Sequence, residues 1–132
     1  MVYFDKRGAE NTEQTLQLSK DAALKRGIKY IVVASTRGNT GLQAAQMMEN
    51  TGIKLIVVGH STGHIEVGQQ LMDMENKKAI EKLGGVVYFG TDVLTSFPGA
   101  MKAKGRFSEQ SVIAGVLRMF GSGVKVCVEI VA

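Results

Sequence analysis

A chain of 132 residues has room for one hydrophobic core and can bury roughly two thirds of the surface its unfolded form exposes. Its 45% apolar and 21% charged residues exclude disorder as the main state, and its longest purely apolar runs, about five residues as at Tyr30 to Ala34, fall far short of the ~20 that span a bilayer. The net charge of +4 comes from 16 basic residues interspersed with 12 acidic ones, with no basic stripe interleaved with aromatics; the one dense cluster, Lys102, Lys104 and Arg106, reads as a solvated loop, so neither nucleic acid nor a membrane is an expected partner.

The segment from Met1 to Arg7 lacks the apolar stretch of a secretory leader. A single cysteine, Cys127, excludes an internal disulfide framework and a thiolate metal cluster within one chain, so a reducing cytoplasm is the expected compartment. No linker interrupts the sequence, and residues 1–132 read as one domain.

The first predicted element is a helix running through Lys25, with Asn11 and Gln14 three residues later as its N-cap pair and Leu16 and Ala23 on its apolar face. An internal near-repeat follows: Gly27-Ile28-Lys29-Tyr30-Ile31-Val32-Val33-Ala34-Ser35 recurs as Gly52-Ile53-Lys54-Leu55-Ile56-Val57-Val58-Gly59-His60. In each copy a glycine stands where a helix C-cap is expected, and an Ile- and Val-rich run follows without polar alternation, as in strands buried on both faces. Gly41 to Asn50 reads as the crossover helix between them. Gln69 to Leu83 reads as another helix stopped by Gly84 and Gly85, and Val86 to Phe89 as a third strand.

This alternation predicts an α/β domain with a parallel sheet, right-handed crossovers and helices on its faces. Pro98, the only proline, marks a turn from Thr95 to Gly99 that leads to a short helix. Ser108 caps a further helix through Phe120, with Ile113, Val116, Leu117 and Phe120 at core-facing spacing. In the tail, Val124, Val126, Val128 and Ile130 alternate with Lys125, Cys127 and Glu129, a period of two that by itself predicts a strand. Cys127, set among valines, is expected to be a buried, inert thiol, and the methionines, Met47, Met48, Met72 and Met74 among them, read as core filler.

Open parallel sheets bind ligands beyond the carboxyl ends of their strands, which singles out the loops after Ala34, Gly59 and Phe89. The first, Ser35-Thr36-Arg37-Gly38-Asn39-Thr40-Gly41, runs from a buried strand straight into a helix. Its glycines let backbone approach a ligand, its hydroxyls donate, and the helix N-terminus offers free N–H groups to a phosphate. It lacks the Gly-Lys-Ser/Thr of a P-loop and the GxGxxG of a dinucleotide site, and a turn with a helix cap accounts for the same residues. Around Gly63 to Gly68, Gln69-Gln70 stands where a P-loop needs Lys-Ser/Thr.

The second loop, His60-Ser61-Thr62-Gly63-His64, holds both histidines, making His60 the candidate general acid or base. Gly59-His60-Ser61-Thr62-Gly63 matches the letters of a nucleophile elbow, but the only other histidine lies three residues from Ser61, a poor arrangement for a triad. Two histidines without an H-x3-H or HExxH spacing give no metal constellation. The third strand ends in Gly90-Thr91-Asp92, with Asp92 readable as a cap; Asn11 and Thr12, opening the first helix, are placed at the same edge.

These words together resemble the stand-alone proteins similar to the C-terminal α/β domain of pyruvate kinase. The resemblance is carried by Tyr3-Phe4-Asp5-Lys6, Glu10-Asn11-Thr12, Ile31 to Thr36 with Gly38 and Thr40-Gly41, His60-Ser61 with Gly63, Gly90-Thr91, Leu117-Arg118-Met119-Phe120-Gly121, and Gly123 to Glu129. It implies a three-layer parallel-sheet domain. In allosteric pyruvate kinases the loop similar to Ser35 to Gly41 holds a phosphate of a sugar bisphosphate effector, and in the stand-alone family a phosphorylated flavin such as FMN is an implied ligand. The catalytic barrel has no counterpart in 132 residues, so pyruvate kinase activity is not implied.

Two departures stand out. Family members continue past the segment similar to Val124 to Ala132 with a glycine-rich strand–turn–strand, so the sheet is expected to be incomplete here, its bare edge favouring a homo-oligomer or a longer natural chain. Arg7 stands where the family's N-terminal turn usually has proline. The resemblance also implies a helix for Val124 to Ala132, against the period-two reading. Three functions are therefore expected to compete. The first is a binding domain for a small phosphorylated metabolite or nucleotide, with Ser35, Thr36, Arg37, Gly38, Asn39, Thr40 and Gly41 at the phosphate and Asn11, Thr12, His60, Ser61, Gly63 and Thr91 lining the rest. The others are a small enzyme on that site with His60 as acid/base, and an interaction protein without a ligand.

Overall fold

A computed structural model describes residues 2–132. The expectation about the leader therefore lies partly outside the described residues. A 3-10 turn, Ala9–Asn11, leads into α1 (Thr12–Arg26); then come β1 (Tyr30–Ala34), α2 (Asn39–Met48), β2 (Lys54–Gly59), α3 (Met74–Lys82), β3 (Val86–Phe89), α4 (Ser96–Ala103), α5 (Glu109–Met119) and α6 (Ser122–Glu129). The three strands form one parallel sheet in the order β1-β2-β3, the α/β arrangement that the alternation of strand and helix patterns predicts.

One face of the sheet is packed. Ile31, Val33, Leu55, Val57, Val87 and Phe89 point to a core shared with Leu16 of α1, Ala44 and Ala45 of α2, Ile80 of α3, and Met72 from the loop before α3. The small side chains of α2 let it lie close: a Cβ on Gly41 would stand 2.6 Å from Val57 Cγ1, so only glycine permits this helix-to-sheet distance. The opposite face carries Tyr30, Lys54, Val86 and Tyr88, all exposed, with Val32, Ile56 and Val58 half-buried beside them. At the carboxyl end of this face Glu129 and Ile130 border one space with Val58, so the layer opposite α1–α3 is only begun. The strands are thus not buried on both faces, and the arrangement is that of an incomplete three-layer domain.

The near-repeat is not structurally equivalent in its two copies. Tyr30 pairs with Lys54 and Ile31 with Leu55, one position short of the sequence repeat. Since side chains alternate along a strand, that single step puts repeat partners such as Ile31 and Ile56 on opposite faces. The glycines differ too. Gly27 ends α1 in the left-handed conformation, whereas α2 stops at Met48 with Glu49 extended, before Gly52 is reached.

Several elements depart from expectation. Asn11 does occupy the N-cap of α1, but its side chain donates to Lys6 O at 2.6 Å instead of capping the helix. The helix expected from Gln69 begins only at Met74, where Asp73 caps it by accepting from Glu75 N. Pro98 lies inside the first turn of α4, where its missing N–H costs no intrahelical bond. Ser108 caps α5 through Ser111 N as predicted, yet Ile113, Val116 and Phe120 are exposed and only Ala114 is buried. The tail is helical over Ser122–Glu129, as the resemblance implies and against its period of two, while Cys127 is exposed where the sequence predicts a buried thiol. The buried residue of α6 is Lys125, only 4% exposed, with its ammonium donating to Glu129 and Thr95. Among the described residues no helix is long and apolar enough to cross a membrane.

Candidate functional site at the carboxyl ends of the strands

The loop from β1 to α2 is braced from both sides. Ser35, buried at the end of β1, accepts a hydrogen bond from Gly41 N at 3.1 Å. Across the loop, Asn76 of α3 donates through Nδ2 to Arg37 O at 3.0 Å and to Asn39 Oδ1 at 2.9 Å. Between these two braces Gly38 adopts φ +93°, and a Cβ there would meet Asn76 Cβ at 2.6 Å, so both conformation and space demand glycine. Gly41 N is taken by Ser35 and Leu42 N by Gly38 O, while the N–H groups of Asn39 and Thr40 have no acceptor among the described residues. They are the unsatisfied donors at the positive end of the α2 dipole.

The loop after β2 is organised by a carboxylate. Asp92, just beyond β3, receives His60 Nδ1 at 2.9 Å, Ser61 Oγ at 3.3 Å and Ser96 Oγ at 3.2 Å, all on Oδ2, with Ser61 N at 3.4 Å. Burial by itself would raise the Asp92 pKa; the His60, Ser61 and Ser96 hydrogen bonds and the His60 charge outweigh it and hold the carboxyl below its ordinary value. An ionised carboxylate only accepts, so His60 carries its proton on Nδ1 in this contact. Below it, Gln70 donates to His60 O and Thr62 Oγ1 and so pins the loop. His64 stacks on His60, ring centroids 4.2 Å apart and planes 14° from parallel, with its Nδ1 3.9 Å from the same carboxylate oxygen.

Ser61 is bonded to Asp92 and Ser96, not to a histidine, and β2 runs into an extended loop instead of a helix. The G-x-S-x-G letters therefore lack the strand-to-helix elbow that exposes a nucleophile.

The predicted site residues do not share one cavity. Ser35, Thr36 and His60 line a space of about 120 Å³ at the strand ends, together with Asp92 and the Lys125–Glu129 pair. Ser61, Gly63 and Thr91 face an adjoining space of about 600 Å³ with His64 and Ser96. Asn11, Thr12 and Thr40 lie around a third, about 320 Å³, along the outer edge of β1. Arg37 and Asn39 are exposed on the loop itself. Ala34, Val126 and Ile130 border both the first and the third spaces, so α6 is the partition between them.

Two features of this region are not announced by the sequence motifs. Asp92 is not the N-cap of α4, a position held by Thr95; its backbone carbonyl accepts from Thr95, Ser96 and Phe97 N–H, and its side chain turns to the histidines. Glu129 accepts from Leu94 N at 2.8 Å and Thr95 Oγ1 at 3.1 Å while receiving Lys125, which anchors α6 to the segment after β3. The available signal was the i,i+4 spacing of Lys125 and Glu129, which pairs charges on a helix and separates them along a strand. No protein-family model matches the chain.

Proposed function

We propose that this chain is a stand-alone relative of the pyruvate kinase C-terminal α/β domain. On this reading it binds a small phosphorylated metabolite or nucleotide, of the sugar phosphate or FMN class, at the carboxyl ends of its strands, without pyruvate kinase activity. The observation that carries the reading is the braced β1–α2 loop. Ser35 and Asn76 brace it, Gly38 allows its turn in a conformation and space that only glycine fits, and the Asn39 and Thr40 N–H groups have no acceptor among the described residues. Preformed donors at a helix N-terminus favour a phosphate because little ordering is left to be done on binding. A cytoplasmic homo-oligomer belongs to the same reading, supported by the single cysteine and the exposed apolar face of the sheet.

The test is native mass spectrometry on gently purified protein. A retained phosphorylated adduct is expected, lost from the Gly38→Asp/Thr40→Val variant and reduced in Thr40→Val alone. A bare chain that also ignores added FMN and sugar phosphates would refute the reading and leave an interaction protein. A second reading, an enzyme acting on the same ligand with His60 as acid/base, is favoured by the His60–Asp92 contact, which orients the ring. It requires a reaction that His60→Ala abolishes while ligand binding persists.

A further inference from the structure

We infer that His60, His64 and Asp92 form a binding site for one divalent transition-metal ion of the zinc class. The three residues come from the loops after β2 and β3, and their ligating atoms all lie within 4.8 Å of one another. Asp92 Oδ2 stands 2.9 Å from His60 Nδ1 and 3.9 Å from His64 Nδ1. Ligand atoms around a tetrahedral Zn²⁺ at ~2.0–2.1 Å are about 3.4 Å apart, so the two separations from Asp92 Oδ2 bracket the required edge.

The chemistry of the set fits as well. Two imidazoles and one carboxylate suit zinc, or iron in its two-histidine, one-carboxylate arrangement, whereas calcium and magnesium take oxygen ligands. Coordination through Nδ1 needs each ring to present that nitrogen's lone pair, so a proton held there moves to Nε2 or is released as the ion binds. The rings are stacked nearly parallel, so capture of an ion turns His64 out of the stack toward the carboxylate.

A supporting layer is present. Gln70 fixes the backbone of His60 through its carbonyl, and the Ser61 and Ser96 hydroxyls orient Asp92. Three protein ligands leave a fourth position, and His64 faces the space of about 600 Å³ from which water or a substrate atom can fill it. The spacing His60 to His64 alone does not announce such a site; the third ligand arrives from Asp92 through the pairing of β2 with β3. The inference does not depend on the phosphate-binding reading.

The test is a titration of tag-free, chelator-treated protein with Zn²⁺ and separately with Co²⁺, followed by calorimetry and by the visible absorption of Co²⁺. One saturable equivalent per chain is expected, with the intense absorption of a four-coordinate ion. His64→Ala, on an accessible loop, is expected to weaken binding at least tenfold while leaving the melting temperature of the metal-free protein unchanged; Asp92→Asn does the same with some loss of stability. Cys127→Ser is expected to bind as the parent does. The inference is overturned by the absence of a saturable equivalent, by His64→Ala binding as tightly as the parent, or by loss of the equivalent in Cys127→Ser.

Discussion

Asp92 is the residue on which the site turns. Its folded pKa lies below the ordinary carboxylate value, so its stabilising hydrogen bonds are fully present above that value and are lost as pH falls below it through the folded pKa. In chelator-treated protein, Asp92→Asn is therefore expected to be less stable than the parent at pH 6, with the gap narrowing in acid. Urea unfolding between pH 6 and 2 measures it; a gap independent of pH would show that the carboxylate charge contributes nothing to the fold. The sequence placed Asp92 at the correct strand end and read it as a cap. What it could not show is that Thr95, not Asp92, stands at the N-cap of α4, and that the Asp92 side chain goes to His60. The choice between those two roles depends on a histidine 32 positions away.

At the scale of elements, α6 shows how two periodicities compete. Val124, Val126, Val128 and Ile130 obey the strand pattern, yet the segment is a helix because Lys125 and Glu129 close an ion pair one turn apart and hydrogen-bond Thr95 and Leu94. Both charges are nearly out of water, their side chains 5% and 8% exposed. Removing one partner leaves the other buried alone, so Lys125→Met is expected to cost roughly 3–5 kcal/mol, whereas Lys125→Met with Glu129→Met recovers much of that loss. Denaturant melts of the single and double variants test this, and equal losses in both would mean that the pair is not the anchor. For α5 the helical spacing of Ile113, Val116 and Phe120 predicted the element correctly and its buried face wrongly: Ala114 turns inward and the larger side chains face out. Periodicity reports that a face is apolar, and not that anything lies against it.

For the whole molecule the decisive asymmetry is between the two faces of the sheet. One is covered by α1–α3, and the other displays Tyr30, Val86 and Tyr88, each more than half exposed. If, as proposed, copies of this chain associate, that face is where apolar area remains to be removed from water. Light scattering at increasing concentration is then expected to show a dimer or larger species, and Tyr30→Lys with Tyr88→Lys to shift it to the monomer. A monomer for the parent at every concentration would remove the oligomer from the proposal.

By itself the sequence determined the α/β class, the three strands and the strand ends at which to look, because runs of Ile and Val separated by helix-length segments have few other ways to bury their surface. It also singled out Gly38 and the hydroxyl-rich loop, since backbone demands of that kind are local. Only the tertiary structure decided the register, one residue off the internal repeat, and with it which half of each strand enters the core. Only the tertiary structure joined His60 and His64 to Asp92, separated the predicted residues among three cavities, and turned the alternating tail into a helix. The register and the joining of Asp92 to His60 depend on contacts between residues 24 or more positions apart, which no local pattern reports; for the tail the local signal was the i,i+4 spacing of Lys125 and Glu129.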